Sequence, residues 1–372
     1  MGEFGIQESY RKKVARVALC SIMDRNIMKK NNVGIIGLGN MGLLHMYNCN
    51  HMDDVSVDAV ADSSKRALKK VDSLKTPNVY MDYRELIDGS KNLDSVVISL
   101  PNFLHFDSIT RSLEAGLDVF VEKPLAITVS ESERILRTVE KTGRRLMIGY
   151  SMRFLEAIEI MKSELDKGRI GSLEIITGES LQNGPLSHGK VPKPVSEWWF
   201  DPAKSGGGAL LDLGSHLVDL FHFFAGDSKV LFSHLDYKFN LPVEDGATLV
   251  LQSKGSSVRG IINVGWYQRS IFPKFNFRFL LHGNADYMST EDLIPKNLYT
   301  HAVKEAIKNF SRRITGRKIR PLSYTYYYDI YYKELRDFFE NIKNGSEPSV
   351  SAVDGLKTME VIEEAYNKFN GR

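Results

Sequence analysis

Hydrophobic positions in the first 150 residues fall into short apolar runs separated by longer segments with helical periodicity. The runs predict strands at Val33–Ile36, Val55–Ala61, Ser95–Leu100, Asp118–Val121 and Leu146–Tyr150. Helical segments follow from Leu43 and from Asp107 to Ala115. Nearly continuous apolar strands that alternate with helices predict a doubly wound parallel sheet covered on both faces, with its ligand at the carboxyl ends of the strands.

The pattern changes after residue 150. A helical stretch from about Leu155 to Lys167 is closed by Gly168 and Gly171. Alternating or aromatic runs then predict strands at Leu173–Ser180, Lys229–Phe239, Ala247–Gln252, Val258–Trp266 and Phe275–Leu281. We therefore divide the chain into an extension of uncertain origin (1–28), an α/β nucleotide-binding domain (29–150) and a second α/β domain for substrate and oligomer contacts (151–372).

Composition agrees with this division and narrows the partners. A chain of 372 residues exceeds what one core usually serves. The net charge of +3, from 49 basic and 46 acidic residues, gives no field that would capture nucleic acid. Cys20 and Cys49 are too few for a disulfide framework, and no apolar stretch approaches the roughly 20 residues that span a bilayer. We expect a cytoplasmic protein without nucleic-acid or membrane partners.

The first strand runs into the glycine turn Gly37-Leu38-Gly39-Asn40-Met41-Gly42. In a strand–turn–helix unit, Gly37 allows the tight turn, Gly39 lets a phosphate approach the backbone and Gly42 lets the helix pack on the strand. The free amides of the helix N-terminus then face the anion. A glycine pattern alone is weak evidence, because turns collect glycines.

Asp62 ends the second strand about 20 residues after the last glycine, where a carboxylate can bind the adenosine ribose of a dinucleotide. The alternative is that Asp62 caps the next helix. A carboxylate there favours NAD, although Ser63, Lys65 and Arg66 are close enough to accommodate NADP.

Polar residues also follow the later strands of the first domain. Pro101-Asn102 and Glu122-Lys123-Pro124 both lie at expected carboxyl ends. Lys123 leaves its strand beside the expected nicotinamide position, which favours a role in catalysis over that of a simple turn residue.

The second domain contains one segment with candidate proton-transfer chemistry, Gly206 to Asp219. On a helix, Asp212, His216 and Asp219 share one face, and a histidine near a carboxylate suits removal of a hydroxyl proton. The alternative is a capping aspartate and a core histidine. The sequence has no spacing that recommends a catalytic metal.

These motifs resemble those of the glucose-fructose oxidoreductase and inositol dehydrogenase (Gfo/Idh/MocA) family. The resemblance rests on the glycine turn, Glu122–Pro124, Gly149–Phe154, Gly206–Asp219 and the closing segment Ser349–Leu356. It implies a Rossmann domain followed by an α/β domain with a large open, mainly antiparallel sheet. One face of that sheet commonly forms the interface of a homodimer or homotetramer.

The resemblance also implies residue roles. Lys123 corresponds to the active-site lysine, Asp212 to the substrate-proximal acid and His216 to the general acid/base, and the Lys123-Pro124 bond is expected to be cis. Cofactor contacts are expected from Gly37, Gly39, Asn40, Met41, Gly42, Asp62, Ser63, Pro101, Asn102, His105, Glu122 and Lys123. Substrate contacts are expected from Lys123, Arg153, Trp199, Asp212 and His216, although core packing is the simpler account of most tryptophans.

The implied activity is NAD(P)-dependent hydride transfer to or from a carbinol carbon of a sugar or cyclitol. The cations between Lys304 and Arg320, followed by the tyrosines from Tyr324 to Tyr332, suit either a solvated helix and an aromatic contact or a phosphorylated or nucleotide-linked sugar. A non-catalytic dinucleotide sensor of the same fold is the alternative function.

Overall fold

The computed structural model of the chain describes residues 30–71, 78–89, 91–185, 196–267, 276–320 and 323–371. The extension 1–28 therefore lies outside the described residues. Within these ranges the chain forms two six-stranded sheets with helices packed on them.

The first sheet is parallel and lies in the first 150 residues of the chain. Its strands are β1 (Asn31–Ile36), β2 (Val55–Ala61), β3 (Asn78–Tyr80), β4 (Ser95–Ile98), β5 (Asp118–Glu122) and β6 (Leu146–Gly149). Their spatial order is β3-β2-β1-β4-β5-β6, all neighbours parallel. This is the strand order of dinucleotide-binding folds. Strands β2 and β3 lie on one side of β1 and strands β4 to β6 on the other, so the topological switch point falls between β1 and β4.

Helices cover both faces of this sheet. They are α1 (Asn40–Asn50), α2 (Lys65–Leu68), α3 (Tyr83–Gly89), α4 (His105–Glu114) and α5 (Val129–Thr142). Every residue of β4 and of β6 is buried, as expected for strands covered on both sides. The Rossmann fold predicted from the alternating pattern is confirmed.

The second sheet is mainly antiparallel. Its strands are β7 (Leu173–Leu181), β8 (Ser228–Asp236), β9 (Gly246–Ser253), β10 (Arg259–Gly265), β11 (Phe277–Gly283) and β12 (Tyr287–Ser289). They lie in the order β12-β11-β7-β10-β9-β8, and β7 and β10 are its one parallel pair. Of the five predicted strands, the last was placed from Phe275, which is outside the described residues.

The remaining helices belong to the second half of the chain. They are α6 (Glu156–Asp166), α7 (Pro202–Ser205), α8 (Ser215–Ala225), α9 (Thr290–Leu293), α10 (Leu298–Ile314), α11 (Asp329–Asn344) and α12 (Ala352–Asn370). Helix α8 packs its apolar residues on the inner face of the second sheet, whereas Leu231, Ile261 and Tyr287 stay exposed on strands of this sheet. Across the described ranges, none of the helices combines the length and the apolar character needed to cross a bilayer.

Helix α11 departs from the expected domain division. Its residues Leu335, Phe338 and Phe339 join the core of the first domain, although residues 151–372 were assigned together to the second. Ile148 donates a backbone hydrogen bond to Val350 (3.1 Å), which ties the following segment to β6. The apolar spacing of α11 predicts a helix but carries no information about which core receives it.

Arg153 joins these parts of the chain, and its predicted contact with the substrate stays a prediction. Its side chain is 8% exposed, and it donates to both carboxylate oxygens of Asp219 (2.9 and 2.6 Å). It also donates to Asp354 (3.0 Å) and to the Ser349 carbonyl (3.2 Å). Arg153 therefore holds α8 and the start of α12 together, and each of its three guanidinium nitrogens already donates within the protein.

We expect Arg153→Met to lower the free energy of unfolding by about 3–5 kcal/mol, because it leaves the buried Asp219 carboxylate without its partner. Arg84→Met is the matched control, since Arg84 pairs with Asp82 and Asp107 at the surface and surface pairs contribute little. Urea unfolding followed by circular dichroism measures both. Equal stability of the two variants would contradict the structural role assigned to Arg153.

Candidate active site

The glycine turn has the geometry that a dinucleotide pyrophosphate requires. Gly37 has a φ of 89°, in the left-handed region, and a Cβ on Gly42 would lie 1.8 Å from the Gly37 carbonyl oxygen. A Cβ on Gly39 would meet no heavy atom of the described residues within 4 Å. Strand and helix are thus in close contact at Gly37 and Gly42, whereas the space beside Gly39 is free for a phosphate. Asn40 and Met41 begin α1 at this point, so the amides of its first turn face that space.

Asp62 connects this turn to the next loop. Its carboxylate accepts hydrogen bonds from the Leu38 amide (2.7 Å) and the Ser64 amide (2.7 Å). Ser64, not Asp62, is the N-cap of α2, because its side chain accepts from Ala67. Asp62 and the exposed Ser63 therefore lie at the edge of the turn, where the ribose of a dinucleotide would bind.

Lys123 follows β5, at the carboxyl edge of the first sheet, and its peptide bond to Pro124 is cis, as the family resemblance implied. The loop is held from behind by His105, whose Nδ1 lies 2.7 Å from the Pro124 carbonyl oxygen and whose Nε2 lies 3.0 Å from that of Leu100. His105 is fully buried, and burial lowers its pKa. Both ring nitrogens face backbone carbonyls, so His105 positions the loop, and its predicted direct contact with the cofactor stays a prediction.

The neighbouring loop, Pro101-Asn102, links the two domains. Asn102 donates its side-chain amide to the Ser205 carbonyl (2.7 Å), at the end of α7. Pro101 and Asn102 are half-buried and follow β4, beside β5 in the sheet. Both therefore stay near the position predicted for the nicotinamide end of the cofactor.

Asp212 comes from the second domain and meets Lys123 directly. Lys123 Nζ donates to Asp212 Oδ1 (2.7 Å) and to the Asp212 carbonyl (2.7 Å). Trp266, fully buried, donates its indole N–H to Asp212 Oδ2 (3.1 Å). Both carboxylate oxygens are thereby occupied, and the side chains of the lysine and the aspartate remain 18% and 16% exposed.

Residues Leu210–Gly214 form a π-helical turn before α8, so the simple α-helical spacing expected for this segment is wrong. Asp212 lies within the turn and His216 in the first turn of α8, whereas Asp219 is buried against Arg153. Asp212 and Asp219 thus have different ionic partners, Lys123 and Arg153. Single π turns are frequent at functional sites.

His216 is the third member of the group. Its ring packs edge-on against the buried Tyr150, with centroids 5.9 Å apart, and its Nδ1 is buried without a partner among the described residues. Burial, followed by the positive charge of Lys123, lowers the pKa of His216 well below its usual range. The imidazole is therefore neutral at physiological pH and near enough to Lys123 to sense its charge.

Two half-buried tryptophans extend the site from Asp212. Trp198 and Trp199 are stacked, with ring centroids 4.9 Å apart, and Trp199 meets Trp266 edge-on at 6.5 Å. Trp199 is thus joined to Asp212 through Trp266. Core packing was the simpler account of most tryptophans, and Trp266 is indeed buried, but it also orients Asp212. The predicted substrate contact of Trp199 stays a prediction.

The start of the π turn depends on Glu244, which the sequence analysis did not single out. Its buried carboxylate accepts from the amides of Gly208 (2.8 Å) and Leu210 (3.0 Å) and from the Tyr366 hydroxyl (2.8 Å). Burial raises its pKa in spite of these donors. A loop glutamate whose partners lie more than 30 residues away has no local signal that could reveal it.

Glu122 faces inward, and its predicted cofactor contact stays a prediction. Its Oε1 lies 2.6 Å from Nε2 of the buried His45, and Glu334 completes a group whose ligand atoms lie within 4.8 Å of one another. Both Glu334 oxygens lack a partner among the described residues, and burial, with the Glu122 charge, raises the pKa of Glu334 well above its usual range. A protonated Glu334 carries no charge beside Glu122, so the cluster needs no cation to offset two carboxylates. The spacing of its ligand atoms would nevertheless admit a cation.

The basic stretch between Lys304 and Arg320 lies away from the glycine turn. Lys318 donates to the carbonyls of Asn50 (3.1 Å) and Met52 (2.8 Å), at the far end of α1, about 15 Å from its N-terminus. Arg320 is bound to Asp329. These two cations therefore bind within the protein, and recognition of a phosphorylated sugar by the others stays a prediction.

Comparison with known proteins assigns both parts of the chain to one family. Residues 31–150 match the model of the oxidoreductase family with an NAD-binding Rossmann fold (GFO_IDH_MocA), and residues 158–286 match the GFO/IDH/MocA C-terminal domain. Myo-inositol 2-dehydrogenase of Thermotoga maritima is 25% identical over 87% of this chain and 91% of its own length. The NAD(+)-dependent scyllo-inositol 2-dehydrogenase of Bacillus subtilis is 25% identical over 90% of this chain and 93% of its own.

Among solved structures, scyllo-inositol dehydrogenase of Lactobacillus casei with bound NAD(H) and scyllo-inositol superposes with a TM-score of 0.73. The match covers 92% of this chain and 98% of that one at 18% sequence identity, which supports the shared fold. With both domains matched in order, this chain is an NAD-binding oxidoreductase of the Gfo/Idh/MocA family.

Proposed function

We propose that this protein transfers a hydride between NAD and a carbinol carbon of a cyclitol or a related sugar. The observation that carries the proposal is the Lys123–Asp212 ion pair beside a neutral His216, at the carboxyl edge of the NAD-binding sheet. When bound, the nicotinamide supplies the hydride acceptor. The protein's own residues then have to hold the substrate oxygen and move one proton.

Lys123 is suited to hold the oxygen. An ammonium has three N–H donors, and the Asp212 carbonyl and carboxylate accept two of them. The third is available for a substrate hydroxyl, and the positive charge favours the developing alkoxide. Because Trp266 fixes the other Asp212 oxygen, the direction of the Lys123 donors is set before a substrate binds.

His216 is suited to take the proton. In the oxidation direction, His216 would take the proton as the substrate O–H bond breaks, and bound NAD would supply the acceptor for the hydride of the carbinol C–H. A neutral imidazole has the lone pair that this step requires. In the reduction direction, the protonated imidazole returns the proton to the oxygen.

The substrate class follows from the site and from the relatives. Trp199 offers a half-buried aromatic face joined to Trp266, which is suited to the C–H face of a six-membered ring. Relatives matched along most of the chain are named inositol dehydrogenases. NAD is favoured over NADP because the Asp62 carboxylate, at the edge of the glycine turn, would repel a 2′-phosphate.

A non-catalytic dinucleotide sensor is the alternative, since a fold can keep its cofactor and lose its chemistry. The positioned Lys123, Asp212 and His216 favour catalysis. A screen of cyclitols and sugars that follows NADH formation decides between them. Tight NADH binding with no oxidation of any polyol would favour the sensor.

Gly39→Val should weaken NADH binding at least about tenfold with little change in melting temperature, because the added side chain fills the open space that the pyrophosphate needs. Gly42→Ala should instead lower the melting temperature, because its Cβ meets the Gly37 carbonyl. Fluorescence titration with NADH and NADPH, with thermal unfolding, measures both effects. Unchanged NADH affinity in Gly39→Val would contradict the predicted binding mode.

His216→Gln should reduce polyol oxidation by about 10²–10⁴-fold, the usual contribution of a general base, with NADH affinity retained. His222→Gln is the matched control on the same helix, because His222 contacts Ser228 (2.9 Å) and not the Lys123 group. Steady-state kinetics measures the rates. Equal activity of the two variants would remove His216 from the mechanism.

The pH dependence follows from the lowered pKa of His216. Its neutral form, which oxidation needs, persists below pH 6.5, so kcat/KM for oxidation should stay level through pH 6.5 and decline only at lower pH. Proton NMR of the imidazole, assigned with His216→Gln, should show the same late titration. A His216 signal that titrates at or above pH 6.5 would refute this.

A further inference from the structure

Helix α10 carries its apolar residues on its outer face. Tyr299, Val303, Ile307, Phe310 and Ile314 are 85%, 59%, 65%, 66% and 71% exposed. They recur every three or four residues, so they form one stripe, about 22 Å long, along the helix. We call this row the apolar stripe.

The opposite face of α10 fastens the helix to the protein through polar contacts. Glu305 is buried, His301 Nε2 lies 2.9 Å from the Ser323 carbonyl oxygen, and Asn309 donates to the Arg320 carbonyl (2.9 Å). A surface helix ordinarily packs its apolar side on the core and exposes its polar side. The orientation of α10 is the reverse, and contiguous exposed apolar surface of this kind marks an interaction site.

The charges around the stripe are nearly all positive. Lys304, Arg313 and Arg317 are exposed, and no described carboxylate pairs with them. The one acidic residue of α10, Glu305, is already paired with Lys308 (2.5 Å) and faces inward. Two copies packed along their stripes would bring these cations together with no acid to offset them, which disfavours a second copy as the partner.

We propose that α10 docks the protein on an anionic phospholipid surface. The apolar stripe would enter the boundary between headgroups and acyl chains, and the flanking lysine and arginines would meet lipid phosphates. This contact lies on the membrane surface and does not cross it. It departs from the expectation, drawn from overall composition, that the protein has no membrane partner, and it is independent of the proposed enzymatic activity.

The test is flotation of the full-length protein with vesicles of phosphatidylcholine containing about one-third phosphatidylglycerol, compared with pure phosphatidylcholine. Wild type should float with the anionic vesicles and much less with the neutral ones, and high salt should release it. Ile307→Glu and Phe310→Glu should each reduce binding at least about tenfold. Val353→Glu is the matched control, because it places the same charge on an exposed apolar position of α12.

Lys304→Ser and Arg313→Ser test the charges without touching the stripe, and each should weaken binding roughly fivefold. Both side chains are exposed, so these variants stay folded, as circular dichroism would verify. The proposal fails if wild type floats with neither vesicle, in which case an acidic protein becomes the favoured partner, or if it binds both vesicles equally. It also fails if Phe310→Glu lowers the mass in sedimentation equilibrium without lipid, because the stripe would then join two copies.

Discussion

The candidate site depends on the ion pair between Lys123 and Asp212, which joins a strand end of one domain to a π turn of the other. A partly exposed pair contributes little to stability by itself. Its importance is geometric, since the same aspartate accepts from Lys123 through both its carbonyl and its carboxylate. Trp266 binds the carboxylate of that aspartate, and Glu244 binds the amides of Gly208 and Leu210 just before it. Residues far apart in the chain therefore set the direction of the Lys123 ammonium group.

Much of this arrangement was predictable because its signals are local. The apolar runs and the turn at Gly37 predict the parallel sheet, and Lys123 follows a buried strand directly. The spacing of Asp212 and His216 singled out the segment that meets Lys123, although it holds a π turn. Local periodicity therefore located the candidate groups, while it did not reveal that Asp219 pairs with Arg153.

The features that the sequence did not predict depend on long-range packing. His105 and Arg153 lie close to the motifs from which ligand contacts were predicted, but they bind other parts of the protein. His105 faces the Leu100 and Pro124 carbonyls, and Arg153 binds Asp219 and Asp354. Neither set of partners has a local pattern. Helix α10 shows the same limit, because amphipathic spacing predicts a helix and does not reveal that its apolar side faces outward.

The return of α11 to the first core has a consequence for motion between the domains. The chain passes from one core to the other near Tyr150, comes back before Leu335, and leaves again after Ala352. The two cores are therefore joined at three places in the chain. No single hinge could turn one domain relative to the other, because all three connections would have to bend together.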